Sequence, residues 1–474
     1  MLLAPNVPEF TAVYFAILRI GGVVVPVNVQ LLANEIAALL EHSDAKYLVV
    51  WHALAEKGLE AFEQVDSCRN IFFVGAKREE LPENILCHYE SAPLYRPVKF
   101  VLDEMLGNLT GNTDYEQTTP DDTAVILYTS GTTGKPKGVE LTHFNLYSNA
   151  LHTQCKKMFV YHGDVTVAVL PLFHTFGQTA IQNVSILAGA TVVMIPQFEV
   201  RKALGEMEKH KVTHIAAVPT MYNLMLQTLK RRNYDLSHLR VAVSGGASLP
   251  VELFREFENT FRFQINEGYG LSETSPIACM TPAGAKINKP GSIGTALFGT
   301  QIAILRQNDG CFADVDEVGE LAVRGHNVMK GYYKDSAATD AAFQNGWFKT
   351  GDAARQDKDG YVFIVDRFKD VIIRAGMNIY PREIEEIFYN HPAVVEAAVV
   401  GIPDETLSEN VVAFVVVTSG SKVTAAELLK YCREHLALYK CPKLVEFRES
   451  LPKNSTGKIQ KRDLKEQYKQ IAAG

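Results

Sequence analysis

No stretch of this sequence stays apolar for long. Purely apolar runs such as Val411 to Val417 end after a few residues, whereas a membrane-spanning helix needs about 20, so no integral membrane segment is expected. Basic charge is not in excess: 47 Lys+Arg face 54 Asp+Glu, a net charge of −7. A dedicated nucleic-acid binder carries a basic surplus, so no nucleic-acid partner is expected; the balance still allows transient contact with a membrane. Cysteine is sparse. Cys68, Cys87, Cys155, Cys279, Cys311, Cys432 and Cys441 include no Cys-x-x-Cys, which argues against a disulfide framework or a zinc site and fits a reducing compartment. The opening Met-Leu-Leu-Ala-Pro-Asn has no basic region and breaks at Pro5, unlike a secretory signal, so a cytoplasmic protein is expected. What is present is a chain of 474 residues, 47% apolar and 21% charged. That composition is globular, and roughly 150 residues per domain gives two or three domains.

Phe10 to Arg19 has helical spacing with Gly21-Gly22 as its stop, and Val23-Val24-Val25 reads as a buried strand. Residues 80–121, with Pro82, Pro93, Pro97 and Pro120, read as a loop-rich connector. From 122 onward short apolar runs alternate with helical patterns. Thr123–Tyr128, Val165–Leu170, Ala190–Ile195, Thr213–Val218 and Arg240–Val243 are the runs; Phe198–His210 and Met221–Leu229 are two of the helices. The rhythm predicts an α/β fold built on a mostly parallel, helix-covered sheet. Residues 290–368 are β-rich, with turns at Asn308-Asp309-Gly310 and Lys358-Asp359-Gly360. A small α+β unit follows: helices Pro381–Tyr389 and Ala425–Ala437, strands Val394–Val400, Val411–Val417 and Leu444–Phe447, and a frayed tail Gln467–Gly474.

The strongest local signal runs from Tyr128 to Gly138: Tyr-Thr-Ser-Gly-Thr-Thr-Gly-Lys-Pro-Lys-Gly. It follows a clean apolar strand. Hydroxyls, glycine amides and two lysines are what a polyphosphate requires, because glycine lets the backbone approach and lysine supplies charge. It is not a Walker loop, since Pro136 follows Lys135 and Thr129 stands where the first Gly belongs. The bland alternative is a flexible surface loop.

At this run the chain resembles the adenylate-forming superfamily of acyl-CoA synthetases, luciferases and peptide-synthetase adenylation domains. Tyr269-Gly-Leu-Ser-Glu-Thr-Ser-Pro276, Lys349-Thr-Gly-Asp352, Asp366-Arg-Phe-Lys-Asp370 and Pro452-Lys-Asn-Ser-Thr-Gly-Lys458 resemble further family signatures, in the family's order. Pro5–Phe10 and Gly21–Pro26 resemble family segments too, and against the family the N-terminus looks short, with a penalty expected in stability before chemistry. The resemblance implies a large domain over 1–368 and a small, mobile C-terminal domain over 369–474 that carries the catalytic lysine. It implies ATP-dependent activation of a carboxylate to an acyl-adenylate, then transfer to coenzyme A, with Mg²⁺ required.

The same resemblance assigns roles. The loop Thr129–Lys137, including Ser130, Gly131, Thr132, Thr133, Gly134 and Lys135, would hold the β- and γ-phosphates. Gly245, Gly246 and Ala247 would flank the adenine, with Glu267, Gly268, Tyr269, Gly270 and Leu271 completing the nucleotide site and Tyr269 stacking on the base. Ser272 would touch the α-phosphate and Glu273 would bind Mg²⁺. Asp352 would accept from the ribose hydroxyls, with Arg367 at the ribose or phosphates. Lys458 would bridge the carboxylate and the α-phosphate, and Lys369 would be the hinge. Arg374, Ala375 and Gly376 would meet the thiol; relatives often have Gly-Gly in this segment, so Ala375 makes that half-reaction the less secure one.

Pro171-Leu-Phe-His-Thr-Phe-Gly177 resembles the acyl-pocket motif, in which His174 would sit beside the substrate carboxylate or gate the pocket. No acidic residue occurs from 165 to 198, which disfavours an amino-acid substrate. Phe176, Gln178, Gly245 and Ile277 would line an apolar channel, so a fatty acid is the expected substrate. An aryl acid, a carrier protein in place of coenzyme A, and a non-catalytic nucleotide- or acyl-binding protein are the alternatives. A homodimer is possible on these grounds.

Overall fold

In the computed structural model, which describes residues 1–75, 98–99, 114–129, 136–404, 406–454 and 457–473, the alternating runs assemble a seven-stranded sheet. Its order is Thr295–Ala296, Ile277–Met280, Asn266–Gly270, Val241–Ser244, His214–Ala217, Val165–Ala168, Thr191–Met194. The five strands from Asn266–Gly270 to Thr191–Met194 are parallel, and the other two are antiparallel. Alternation along each strand feeds two cores. Ala242 packs on one face with Leu204, Tyr222, Met225 and Phe257, from helices Val200–Lys209, Pro219–Leu229 and Val251–Phe261. Val241 and Val243 pack on the other with Phe176, Ile181, Ile277 and Met280. Each such buried side chain contributes about 1.5–3 kcal/mol. Parallel strands present their carboxyl ends to a ligand; the motif residues 245 and 171–177 follow such ends, and 267–273 run along and past the end of Asn266–Gly270.

Two smaller sheets flank this core. Leu2–Leu3, Tyr47–Trp51, Asn70–Val74 and Val98–Lys99 form a parallel sheet. Thr123–Thr129 pairs antiparallel with Lys137–Thr142, which in turn pairs with Gly331–Tyr332. The first strand of the expected parallel series therefore lies outside it, paired antiparallel with the next strand in the chain. Val23–Val25 is also corrected. Val24 bridges to Val125 and Pro26 to Leu2 as isolated pairs, so the run links two sheets without forming a continuous strand. Residues 76–97 and 100–113, most of the expected connector, lie outside the described residues.

The β-rich part is antiparallel. Thr300–Leu305, Gly319–Gly325 and Trp347–Gln356 pair in order, and Trp347–Gln356 also takes Phe343–Gln344 and Val362–Arg367. The small C-terminal domain has a sheet ordered Met377–Ile379, Ile372–Arg374, Ser408–Val417, Val394–Asp404, with Leu444–Phe447 parallel to Ser408–Val417. Helices Pro381–Tyr389 and Ala425–His435 bury Ile384, Phe388, Leu428 and Cys432 against one face. The tail is not frayed through Gln467: a helix spans Lys461–Ala473. Leu464 is fully buried against Val400, Val412 and Phe414 on the other face, and that contact anchors the helix. The whole is a mixed α/β protein with a large N-terminal and a small C-terminal domain. No helix of the described residues is long and apolar enough to cross a membrane.

Candidate active site

A cavity of about 360 Å³ opens at the carboxyl ends of the parallel strands and takes residues from both domains. Among the described residues its polar end carries five cations, Lys137, Lys349, Arg367, Lys369 and Lys458, against one lining carboxylate, Glu273. Its apolar end is Phe176, Val243, Ile277 and Met280. A net-positive pocket joined to an apolar one suits a polyanion beside a group with a greasy tail.

Thr129 ends its strand at the cavity, and Lys137 starts the returning strand there. Ser130, Gly131, Thr132, Thr133, Gly134 and Lys135 lie outside the described residues. Lys137 Nζ stands 4.7 Å over the Tyr332 ring. Tyr332 Oη donates to Glu273 Oε1 at 2.9 Å, and Met329 N donates to the Glu273 carbonyl at 2.8 Å. Glu273 is thus aimed by the strand that pairs with the phosphate-loop hairpin. Ser272 and Glu273 open a short 3₁₀ turn, Ser272–Thr274, that puts both on the cavity wall.

Tyr269, Gly268, Gly270 and Leu271 line the cavity beside them. Tyr269 Oη donates to Asp352 Oδ2, and Arg367 Nε lies 3.0 Å from Asp352 Oδ1. Both carboxylate oxygens are therefore occupied. Burial, with the Asp352 charge and its hydrogen bond behind it, pushes the Tyr269 phenol well up, so it stays a donor. Asp352 itself is 3% exposed and sits behind Tyr269, Thr350 and Arg367 instead of on the wall.

Lys458 enters from the small domain. Lys458 N donates to Asn454 Oδ1 and Asn454 N to the Lys458 carbonyl, both at 2.9 Å, which closes a tight turn. Gly457 within it has φ +80°, and a Cβ there would stand 3.0 Å from Thr220 Oγ1 and 3.2 Å from Val218 Cγ2 of the large domain. Only glycine tolerates both demands. Burial, then repulsion by Arg367 and Lys369, pushes the Lys458 ammonium down to about 8. His174 faces it. Burial and the Lys458 charge push the imidazole down to about 4, so the ring is neutral near pH 7. Its Nδ1 accepts from Phe176 N at 3.2 Å, which leaves the proton on Nε2 as a donor.

Several expected residues lie elsewhere. Gln178 is fully buried behind the wall, with Oε1 accepting from Tyr14 Oη at 3.4 Å. Gly245 and Gly246 line the cavity but Ala247 does not. Glu267 is buried away from it, with Oε1 accepting from Leu249 N at 3.3 Å. Burial pushes Glu267 up to about 7, while Arg382 of the small domain pulls it back, so it belongs to the contact between domains. Lys369 lines the cavity from the 3₁₀ turn Phe368–Asp370. Arg374, Ala375 and Gly376 form a hairpin turn off the cavity, with Arg374 Nη1 donating to the Tyr439 carbonyl at 2.9 Å. Tyr332, Thr350 and Asn454 were not singled out in the sequence. Thr350 and Asn454 sit inside the motifs, and Tyr332 sits in the family-like segment Asn327–Tyr333 and is brought in by strand pairing.

A cation-rich cavity at the strand ends of a large α/β domain, closed by a lysine from a small C-terminal domain, is the layout of an adenylate-forming enzyme. The chain belongs to the AMP-binding enzyme family, which it matches over residues 1–333, with the family's C-terminal domain matched over residues 383–458. It is 36% identical over 481 residues to the long-chain-fatty-acid–CoA ligase of Bacillus subtilis, covering 98% of this chain and 85% of that protein. It is also 36% identical over 467 residues to the 2-succinylbenzoate–CoA ligase of Bacillus velezensis, covering 98% and 87%. ATP-bound MatB from Rhodopseudomonas palustris superposes with a TM-score of 0.87 at 31% identity, covering 99% of this chain and 88% of that one. Fatty-acid and aryl-acid ligases both stand among these relatives, so membership fixes the class and not the acid.

Proposed function

We propose that the chain activates a fatty acid with ATP and transfers the acyl group to coenzyme A, releasing pyrophosphate and AMP. The observation that carries this reading is Lys458, delivered by one domain into a cavity of the other, beside a neutral His174 and four further cations. A carboxylate oxygen attacks the α-phosphorus, the bond to the β-phosphate oxygen breaks, and pyrophosphate leaves with the electron pair. Two anions must meet, so positive charge at the phosphates lowers the barrier. Lys137 and the residues 129–135 serve the β- and γ-phosphates, Ser272 the α-phosphate, and Lys458 both reacting oxygens. His174 Nε2–H donates to the carboxylate and holds it in line. Tyr269 covers the adenine, and the Asp352–Arg367 pair opens to the ribose.

Among the described residues no group of three or more His, Cys, Asp or Glu side chains that could hold a metal ion occurs. Glu273 alone, with one oxygen held by Tyr332, fits Mg²⁺ that arrives on the nucleotide, since Mg²⁺ takes one or two carboxylates plus phosphates and water. The ion would screen phosphate charge. In the second half-reaction sulfur attacks the acyl carbon, AMP leaves, and the thiol proton goes to solvent. Rotation about Lys369 would bring the Arg374–Ala375–Gly376 turn to the cavity for that step.

The test supplies ATP, Mg²⁺ and coenzyme A with fatty acids from butyrate to octadecanoate, plus benzoate and cinnamate. AMP and acyl-CoA are expected. An acyl-adenylate without thioester would sink the second half and point to a carrier protein, and no carboxylate-dependent pyrophosphate release would sink the enzyme reading. An aryl acid is the second reading, supported by the 2-succinylbenzoate–CoA ligase relative.

A further inference from the structure

Lys157 is a buried lysine outside the chemistry described so far. It is 4% exposed, in the helical turn Gln154–Met158. Its Nζ donates to the Met280 carbonyl at 2.6 Å and to the Thr295 carbonyl and Oγ1, both at 3.2 Å. Ala283 N donates back to the Lys157 carbonyl at 2.7 Å. A cation buried among neutral oxygens is costly, and its position is fixed by every bond it makes. The bonds fall on one place, the antiparallel pair of Met280 and Thr295.

Met280 is also the wall at the apolar end of the cavity. It packs in one continuous core with Phe176, Val243 and Ile277, and none of the four exceeds 8% exposure. The glycines beside them leave little slack. A Cβ on Gly245 would stand 3.0 Å from two Phe176 ring carbons and 3.2 Å from the Gly268 carbonyl; one on Gly268 would stand 3.5 Å from Met280 Cγ. The cavity of about 360 Å³ must also hold a nucleotide, and ligand pockets run from about 300 to 1,000 Å³.

We propose that Met280, pinned from behind by Lys157, is the floor of the acyl pocket and confines the substrate to a compact acid, a short alkyl chain or a single ring. This rests on the reading of the cavity as an acyl-adenylate site. Met280 is the specificity-determining residue, and Lys157 is a positioning residue that acts through its carbonyl. A pocket without a hard floor discriminates chain length by only about fourfold per methylene. A pinned floor makes a step instead.

The test measures binding of acylsulfamoyl-adenosines, stable mimics of the acyl-adenylate, to the full chain by calorimetry. Butanoyl, hexanoyl and benzoyl forms should bind best, with dodecanoyl and hexadecanoyl forms weaker by at least about tenfold. Met280→Ala should move the preferred length up by about two carbons and improve octanoyl binding about 15-fold. Met280→Leu, which conserves volume, should keep the wild-type profile and shows that the fold tolerates change there. Lys157→Met should blunt the step between hexanoyl and dodecanoyl severalfold while AMP binding holds; a merely structural role would weaken every ligand alike. A flat length series, or a Met280→Ala profile like the wild type, overturns the floor. No binding by any member, with no pyrophosphate release, overturns the adenylate reading and the floor together.

Discussion

Lys157 lies buried beside the cavity and Lys458 half-buried in its wall, and loss of solvent pushes both ammoniums down to about 8. Their surroundings differ. Lys157 sits on a packed helical turn and spends its donors on three neutral oxygens. Lys458 sits on a Gly457 turn of another domain. Its charged neighbours are the cations Arg367 and Lys369, an Asp352 carboxylate that Tyr269 and Arg367 already hold, and, with the weakest effect, Asp370. One lysine is complete as it stands. The other is short of negative charge, which a carboxylate and a phosphate would supply. An equal displacement from the ordinary value therefore accompanies two different settings; what separates them is the partner list.

The sharpest break in that comparison is removal. Lys458→Ala should lower acid-dependent ATP–pyrophosphate exchange by about 10²–10³-fold, the usual cost of deleting a donor at a developing charge, with ATP binding nearly intact. Lys157→Met should change exchange with a compact acid by no more than a few-fold. Equal losses in the two variants would erase the distinction.

This contrast also shows what the sequence made legible. The signature runs are contiguous, so Lys458, Glu273 and Asp352 stood out by local pattern alone. The strand–helix alternation was readable because Val241–Ser244 and His214–Ala217 are short apolar runs between amphipathic helices. Lys157 and Met280 carry no local mark, and Tyr332, though inside the family-like segment Asn327–Tyr333, has no role assigned there. Met280 and Tyr332 reach the cavity through register, Met280 opposite Thr295 and Tyr332 opposite Val139, and register is a tertiary fact. Glu267 failed in the other direction: it belongs to a motif, yet its side chain turns to Leu249 and Arg382.

Titration separates the lysines next. If adenylation needs the Lys458 ammonium, kcat/KM of the free enzyme should fall as pH rises through about 8, approaching tenfold per pH unit. The limb on kcat should lie higher, because bound anions stabilise the cation. Lys458→Arg, always charged, should flatten the limb at whatever activity it retains. Lys157→Met should leave it in place; a limb that vanished in that variant instead would reassign it.

Stability gives the smallest effect and the finest discrimination. A lysine whose folded value lies below its unfolded one binds its proton more weakly when folded. The penalty is full below about 8 and is relieved as pH rises from there toward 10.5. At pH 7 both lysines carry it. Lys458→Met should therefore raise the melting midpoint by a few degrees at pH 7, and the gain should shrink by pH 9.5 and vanish only above about 10.5, where the unfolded amine is neutral too. Its size is limited, because the small domain can swing the ammonium into water. Lys157 has no such exit. Lys157→Met also removes the burial cost, but it takes the charged donor away from the Met280 carbonyl and from Thr295, and a hydrogen bond from a charged group is worth about 1.5–3 kcal/mol. The midpoint should fall at pH 7 and fall further, relative to wild type, at pH 9.5. Opposite signs at pH 7 are the result to look for in thermal scans. A gain in both variants would mean that the Lys157 bonds hold nothing that matters, and the floor they support would be a matter of packing alone.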